Sequence, residues 1–333
     1  MNQIQLATKC NQRPEILKHF VQLASALDIS AIEIQEVFSL MREHSVIARV
    51  ENMAEVMKGK IDRLTFHQPL GGPTDSWEQT VKVLKFDLAS EANDFALGLA
   101  RETIMEAIEL GLRLGLEKTV YINFHVMGFV RERDISLENK MRHLLRGEKA
   151  LLQLKTFTEV YCFDSGFTKN GQPQAILVHE NSFIFHSNEV FALLSAHPKE
   201  ITRLPWIGIN IDFAHLQLAI NYLNANPSSE SAKIENKLYP PLDWKTAIET
   251  VKDKLELLHL NDAKGWTLEG EGLEIGLGEI PYETIIPLIC HSINKEVMGT
   301  IEIKTQHLHP EQFTNSVRYL RSLFKENYSE YFC

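Results

Sequence analysis

Six strand-like runs in this 333-residue chain close on, or next to, a side chain able to hold a divalent cation or move a proton. They carry His67 (IDRLTFH), His125 (TVYINFH), Glu180 (AILVHE), Asp212 with His215 (INIDFAH), His259 with Asp262 (LELLHLND) and Glu302 (GTIEIK). Imidazole nitrogens and carboxylate oxygens are metal ligands, and carboxylates also serve as general acids and bases. Taken alone, Asp212-x-x-His215 reads more readily as a helix-capping aspartate followed by a surface histidine. The recurrence is what carries weight. Only four of the 13 histidines fall in the set, so abundance does not produce it. Imidazoles and carboxylates gathered in a partly dry pocket are costly, and a divalent cation offsets that cost. The pattern predicts a metal site.

These side chains need a scaffold that brings strand ends together. The sequence supplies eight strand-like runs: 4–9, 31–37, 61–67, 119–125, 175–180, 207–212, 255–260 and 299–304. Helical periodicity separates them, over 16–27, on to about Lys60, 90–115, 137–157, 216–223, 244–252 and 311–324. Lys82–Phe86 reads as extended, Ser165–Gln174 as a polar turn, Gly71-Gly72-Pro73 as a turn and Asn226–Ser231 as a loop. Strand–helix alternation without Gly-x-Gly-x-x-Gly after the first strand predicts a single-domain (β/α)8 TIM barrel over residues 1–333, not a dinucleotide-binding sheet. Such a barrel places its active site at the C-terminal ends of its strands, where the six groups fall. The long third and fourth units are expected to add elements on that rim.

Other groups have plainer readings. His179 faces away from Glu180 along its strand and is expected to pack against a helix. His307 and His309 are loop residues near the mouth. Glu36 is a strand-end carboxylate, and Lys9 and Lys304 are candidate anion contacts. Between Gly265 and Gly278, five of 14 residues are glycine, which lets the backbone approach a ligand closely.

Net charge is −10, with no long basic run, which disfavours DNA as a partner. No apolar stretch reaches membrane-span length, and the first residues do not resemble a secretory signal. Four scattered cysteines without a CxxC pair predict free thiols in a cytoplasmic protein. A homo-oligomer is compatible with this composition.

The motifs Glu180-Asn181, Asp212-x-x-His215, His259-Leu-Asn-Asp262, Gly276-x-Gly-x-Ile280 and Glu302 resemble the xylose isomerase-like TIM barrels. That group includes sugar isomerases and epimerases and the endonuclease IV-like AP endonucleases. The isomerase resemblance implies one Mn²⁺, Mg²⁺ or Co²⁺ on Glu180, Asp212, His259 and Glu302. Glu180 and Glu302 would move a proton on a small sugar or keto acid. His215, Asp262, His67 and His125 would then contact substrate. The endonuclease resemblance implies Zn²⁺ on the same four residues, a second ion on His67, His125 and Glu180, and His215 in a third site. Its Asp-x-His after strand seven is missing here, where the chain reads Leu268-Glu269-Gly270-Glu271-Gly272. Glu269 or Glu271 would have to replace that aspartate. The leading expectation is therefore an isomerase or epimerase with a small-molecule substrate and one or two divalent ions. A zinc phosphodiester hydrolase is the alternative.

Overall fold

Eight parallel strands close into a barrel in which each strand neighbours the next in sequence and the first meets the last. They are β1 Ile4–Asn11, β2 Ala31–Gln35, β3 Arg63–His67, β4 Val120–Phe124, β5 Ala175–Glu180, β6 Gly208–Asp212, β7 Leu255–Leu260 and β8 Val297–Ile301. This computed structural model describes residues 3–69, 77–182 and 190–333, so the Gly71-Gly72-Pro73 turn lies outside the described residues.

The period-two alternation of each strand sorts its residues between two cores. Outward-facing Ile32, Ile34, Phe66, Ile209, Ile211 and Leu258 join the large cluster under the helices. Inward-facing Ala7, Ala31, Tyr121, Val178, Leu257 and Met298 form a small apolar plug inside the barrel. Each of those six strands next points inward two residues further on, and there it presents Lys9, Glu33, Asn123, Glu180, His259 and Thr300, of which only Lys9 is not fully buried. The barrel is thus apolar below and polar towards its mouth.

The helical layer comprises α1 Pro14–Ala26, α2 Phe38–Glu43, α3 Val46–Met57, α4 Trp77–Val83, α5 Asp94–Leu114, α6 Leu137–Ser165 and α7 Pro198–Ile201. It continues with α8 Phe213–Ala225, α9 Glu230–Leu238, α10 Trp244–Val251, α11 Tyr282–Ser292, α12 Glu311–Phe324 and the short α13 Tyr328–Tyr331. Local signals explain several boundaries. Pro14 opens α1, Ser136 accepts from Asn139 N to start α6, and Gly115 ends α5 at φ 64°.

Four expectations need correction. Lys82–Phe86 is helical, the end of α4 plus a 3₁₀ turn, with Phe86 packed edge-on against Phe38 and Phe95. The supposed polar turn begins inside α6 and then forms a small hairpin, Thr168–Lys169 with Gln172–Pro173. The loop after Asn226 gives way at Ser229, which caps α9 by accepting from Ala232 N. Helix α11 escaped notice because Pro287 sits inside it, where proline removes a donor and crowds the preceding turn. The long third unit adds α4 and the 3₁₀ turn before α5, and the fourth adds Phe129–Val130, which pairs with Phe191–Ala192 from the unit after β5.

Candidate metal centre

The barrel mouth gathers the six strand-end groups as two clusters that share one carboxylate. Glu180, Asp212, His259 and Glu302 can each place a ligand atom within 4.8 Å of the others, and so can His67, His125 and Glu180. Glu180 joins the two with opposite oxygens. Its Oε1 lies 3.2 Å from His259 Nδ1. Its Oε2 lies 3.3 Å from His125 Nε2 and 3.5 Å from His67 Nε2.

Glu180, Asp212, His259 and His67 are each fixed by a group behind them. Asn210 Nδ2 donates to Glu180 Oε2 at 3.0 Å, and Asn123 Nδ2 donates to the same oxygen. Asp212 ends β6 and caps α8, its Oδ1 accepting from His215 N at 2.7 Å, while Asn261 Nδ2 donates to its Oδ2 at 2.9 Å. The capping reading and the ligand geometry are both present. Glu33, fully buried in β2, accepts from His259 Nε2 at 3.0 Å. A carboxylate only accepts, so Nε2 carries the proton and the Nδ1 lone pair faces Glu180, Asp212 and Glu302. Likewise His67 Nδ1 must donate to the Gln68 carbonyl at 2.9 Å, which leaves its Nε2 lone pair facing His125 Nε2 at 3.2 Å.

These contacts fit cations. His259 Nδ1 and Glu302 Oε2 abut, yet both are buried without a hydrogen-bond partner. Lone pairs converging on one another are repulsive until a proton or a metal lies between them. Electrostatics agree. Burial opposes ionisation of Glu180, but His125 and His259 outweigh it and hold the carboxyl well below its usual range. Glu302 is held low against burial by His259 and Lys9. Burial pushes His125 well down, while Glu180, Glu302 and Glu33 lift His259 despite its burial, so that without a cation a proton occupies the place on His259 Nδ1.

His215 belongs to a different arrangement. Its Nδ1 donates to the Asn181 carbonyl at 3.0 Å and its Nε2 points at Glu271 Oε1, 3.1 Å away. Against burial, Asp212, Glu271 and Glu180 raise it to about 10, so it is an imidazolium bridging two loops. Glu271, from the glycine-rich loop, thus meets His215 directly.

Asp262, expected to contact substrate, spends both its oxygens on backbone donors. Its Oδ1 accepts from Ala263 N and Ile280 N at 2.9 and 3.1 Å, and its Oδ2 from Gly276 N at 2.9 Å. It folds the glycine-rich loop, and a Cβ at Gly278 would stand 2.2 Å from its Oδ1. His179, as expected, faces away from the mouth, 3.0 Å from Ser195 Oγ.

A cavity of about 370 Å³ opens beside the quartet, with Lys9, Asp212, Glu271, Glu302, Lys304 and His307 in its wall. Glu302 reaches that wall, its side chain 26% exposed, whereas Glu180 lies beneath at 1%. Lys9 donates to Glu302 and stands 3.5 Å from Glu33 Oε1; these carboxylates overcome its burial and keep it charged. Sequence reading limited to strand ends missed Glu33, Asn123 and Asn210, although polar residues midway along apolar runs were the available signal.

No protein-family model matches the chain, and no curated protein matches it. Solved structures do. A D-tagatose 3-epimerase-like protein aligns over 96% of this chain and 99% of its own, at TM-score 0.54 and 15% identity. A D-allulose 3-epimerase from Methylomonas sp., solved with D-allulose, covers 96% and 90% at TM-score 0.52 and 11% identity. An AP endonuclease, family 2, from Brucella melitensis covers 91% and 93% at TM-score 0.51 and 11% identity. The chain shares the barrel fold of these three proteins. At these identities the shared property is architecture, and both branches anticipated from the sequence stand among the similar structures. Within this barrel, no helix among the described residues is long and apolar enough to cross a membrane.

Glu33 gives this centre its first test. A carboxylate that holds a ligating imidazole typically contributes about 10–100-fold to metal affinity. Glu33→Gln is expected to weaken Mn²⁺ binding by that factor, measured calorimetrically on metal-stripped protein. Unchanged affinity would mean that the Glu33–His259 contact does not set the tautomer.

Proposed function

We propose that this protein is a divalent-metal-dependent isomerase or epimerase of a small polyhydroxy carbonyl compound. The supporting observation is the quartet Glu180, Asp212, His259 and Glu302 beside a cavity whose wall Glu302 reaches. These four residues would hold the ion. When bound, a divalent cation supplies Lewis acidity that lowers the cost of an enolate-like charge on a substrate oxygen.

The chain's own groups do the rest. Glu302 is the acid–base residue with access to the cavity, and it moves the proton on or off the substrate carbon. Lys9 keeps Glu302 ionised and ready to accept. Glu180 is the second carboxylate, held by Asn123 and Asn210. His215 and Lys304 supply N–H donors for substrate hydroxyls, once Glu271 yields them.

A second reading, metal-dependent phosphodiester hydrolysis, is favoured by the His67–His125–Glu180 cluster, which a mononuclear isomerase does not need. Two experiments separate them. Elemental analysis of protein purified without chelators should give one Mn, Mg or Co per chain under the isomerase reading, and two or more Zn under the hydrolase reading. Under the isomerase reading, the loaded protein should wash solvent deuterium into a ketose or keto acid. Glu302→Gln should slow that exchange about 10³-fold. Exchange at the wild-type rate in a folded, metal-loaded Glu302→Gln variant would defeat the mechanism.

A further inference from the structure

Glu271 is held unlike the other carboxylates of the mouth. Asn123 and Asn210 hold Glu180, Asn261 holds Asp212, and backbone N–H groups hold Asp262. Among the described residues, the Glu271 carboxylate meets no amide donor and sits instead between two cationic side chains. Its Oε1 lies 3.1 Å from His215 Nε2, and its Oε2 lies 3.4 Å from Lys304 Nζ. His215 donates through Nδ1 to the Asn181 carbonyl while Nε2 faces a carboxylate, so both ring nitrogens carry protons. Glu271 is the counter-ion of this pair.

The backbone beside Glu271 is fixed, but its side chain is not. Gly270 O accepts from Lys264 N at 2.9 Å, and Gly272 O accepts from Lys304 N at 2.9 Å. A Cβ at Gly270 would stand 1.8 Å from Lys264 O, so glycine is what lets the loop close this tightly. These contacts leave the carboxylate itself free to swing. It reaches the cavity wall beside Lys304 and Glu302, and a ligand group that took its place would meet the same two cations.

The charges decide what that group is. A hydroxyl alone would leave the buried His215 imidazolium without a counter-ion, which is costly. A carboxylate replaces Glu271 in kind, one oxygen for each donor. A phosphoryl dianion would bring further charge, and Lys9, the other lysine of the wall, is already matched by Glu302 and Glu33. Position matters as well. His215 Nδ1 lies 3.6 Å from Glu180 Oε1 and 3.9 Å from Asp212 Oδ1, so the imidazole ring stands between Glu271 and the quartet. The anion place therefore serves the end of a substrate remote from its reacting carbonyl. We propose that Glu271 occupies the place of a substrate carboxylate, and that the substrate is a polyhydroxy keto acid whose carboxylate displaces Glu271 from His215 and Lys304. This rests on the isomerase reading for the reacting end of the molecule and adds the chemistry of the other end.

Calorimetric binding to the Mn²⁺-loaded full chain tests this with three probes. They are D-fructose, D-fructuronate (the same ketose with its terminal carbon oxidised to a carboxylate) and D-fructose 6-phosphate. D-fructuronate is expected to bind about 100-fold tighter than D-fructose, and tighter than the phosphate. Glu271→Gln removes the competing carboxylate. It should tighten D-fructuronate by about a further tenfold and leave D-fructose within about twofold. Damage to the fold cannot produce that gain, and the wild-type comparison stands without the variant. D-fructose binding as tightly as D-fructuronate overturns the proposal. So does tighter binding of the phosphate, or a Glu271→Gln variant that treats acid and ketose alike. Solvent-deuterium exchange is read separately. Selective binding of D-fructuronate without exchange would sink the isomerase reading and leave the carboxylate site standing. Exchange into D-fructose with no preference for the acid would do the reverse.

Discussion

Glutamine at position 180 is expected to lower turnover by about 10³-fold or more, and to strip metal from both clusters at once. The reason is the sharing of its two oxygens. Oε1 faces His259 within the quartet, and Oε2 faces His67 and His125, so one neutralised carboxylate weakens two groups of ligands. The barrel should survive the change. The side-chain oxygen of glutamine can still accept from Asn123 and Asn210, and removing a buried anion relieves a desolvation cost. Circular dichroism should therefore match the wild type while elemental analysis shows the loss. Full metal content with wild-type turnover in Glu180→Gln would show that the convergence of these side chains has no catalytic meaning. Retained metal with lost turnover would place the role of Glu180 in proton movement alone.

The residues that converge here were legible in the sequence because a parallel barrel converts strand ends into a ring. Register between neighbouring strands puts Asp212 level with His259, and His259 level with Thr300, two residues below Glu302. Strand assignments correct to within about three residues were therefore enough to predict the gathering. Groups behind the ring were not legible by that rule. Glu33 stands at the middle of Ala31–Gln35, and in sequence it looks like the polar half of an ordinary alternating strand. Only barrel closure shows that its side of the strand is the interior. Asp262 shows what position alone does not reveal. It follows a strand end as closely as any ligand does, but three backbone N–H groups of the loop it precedes claim its oxygens. Helix α9 was obscured by its brevity and charge, since only Ala232, Ile234 and Leu238 give it an apolar side and one of its inward positions is Glu235.

That inward glutamate leads to the largest stability effect expected of a side chain remote from the mouth. Lys140 of α6 is fully buried and donates to Glu200, to Glu235 Oε1 at 2.5 Å and to the Leu193 carbonyl at 2.6 Å. It ties α6 to α9 and to the segment that returns from β5, where Ser195 N donates to Glu200 Oε2 at 2.5 Å. Lys140→Met keeps most of the side-chain volume but leaves two carboxylates sharing a dry site without a counter-ion. Breaking a buried ion pair from one side costs about 3–5 kcal/mol, and urea unfolding at pH 7 should show a loss of that size. The pH dependence separates charge from packing. Burial, reinforced by Glu200 and only partly countered by Lys140, already lifts Glu235 to about 7. Because its folded value exceeds the ordinary 4.5, the folded state holds this proton more tightly, and its contribution declines as pH rises through 7. Without Lys140 the site should hold protons tighter still. The deficit of Lys140→Met is therefore expected to be smaller at pH 5, where the carboxyls can protonate, and larger at pH 8. A deficit that stays constant across this range would assign the loss to packing of the lysine stem and not to its charge.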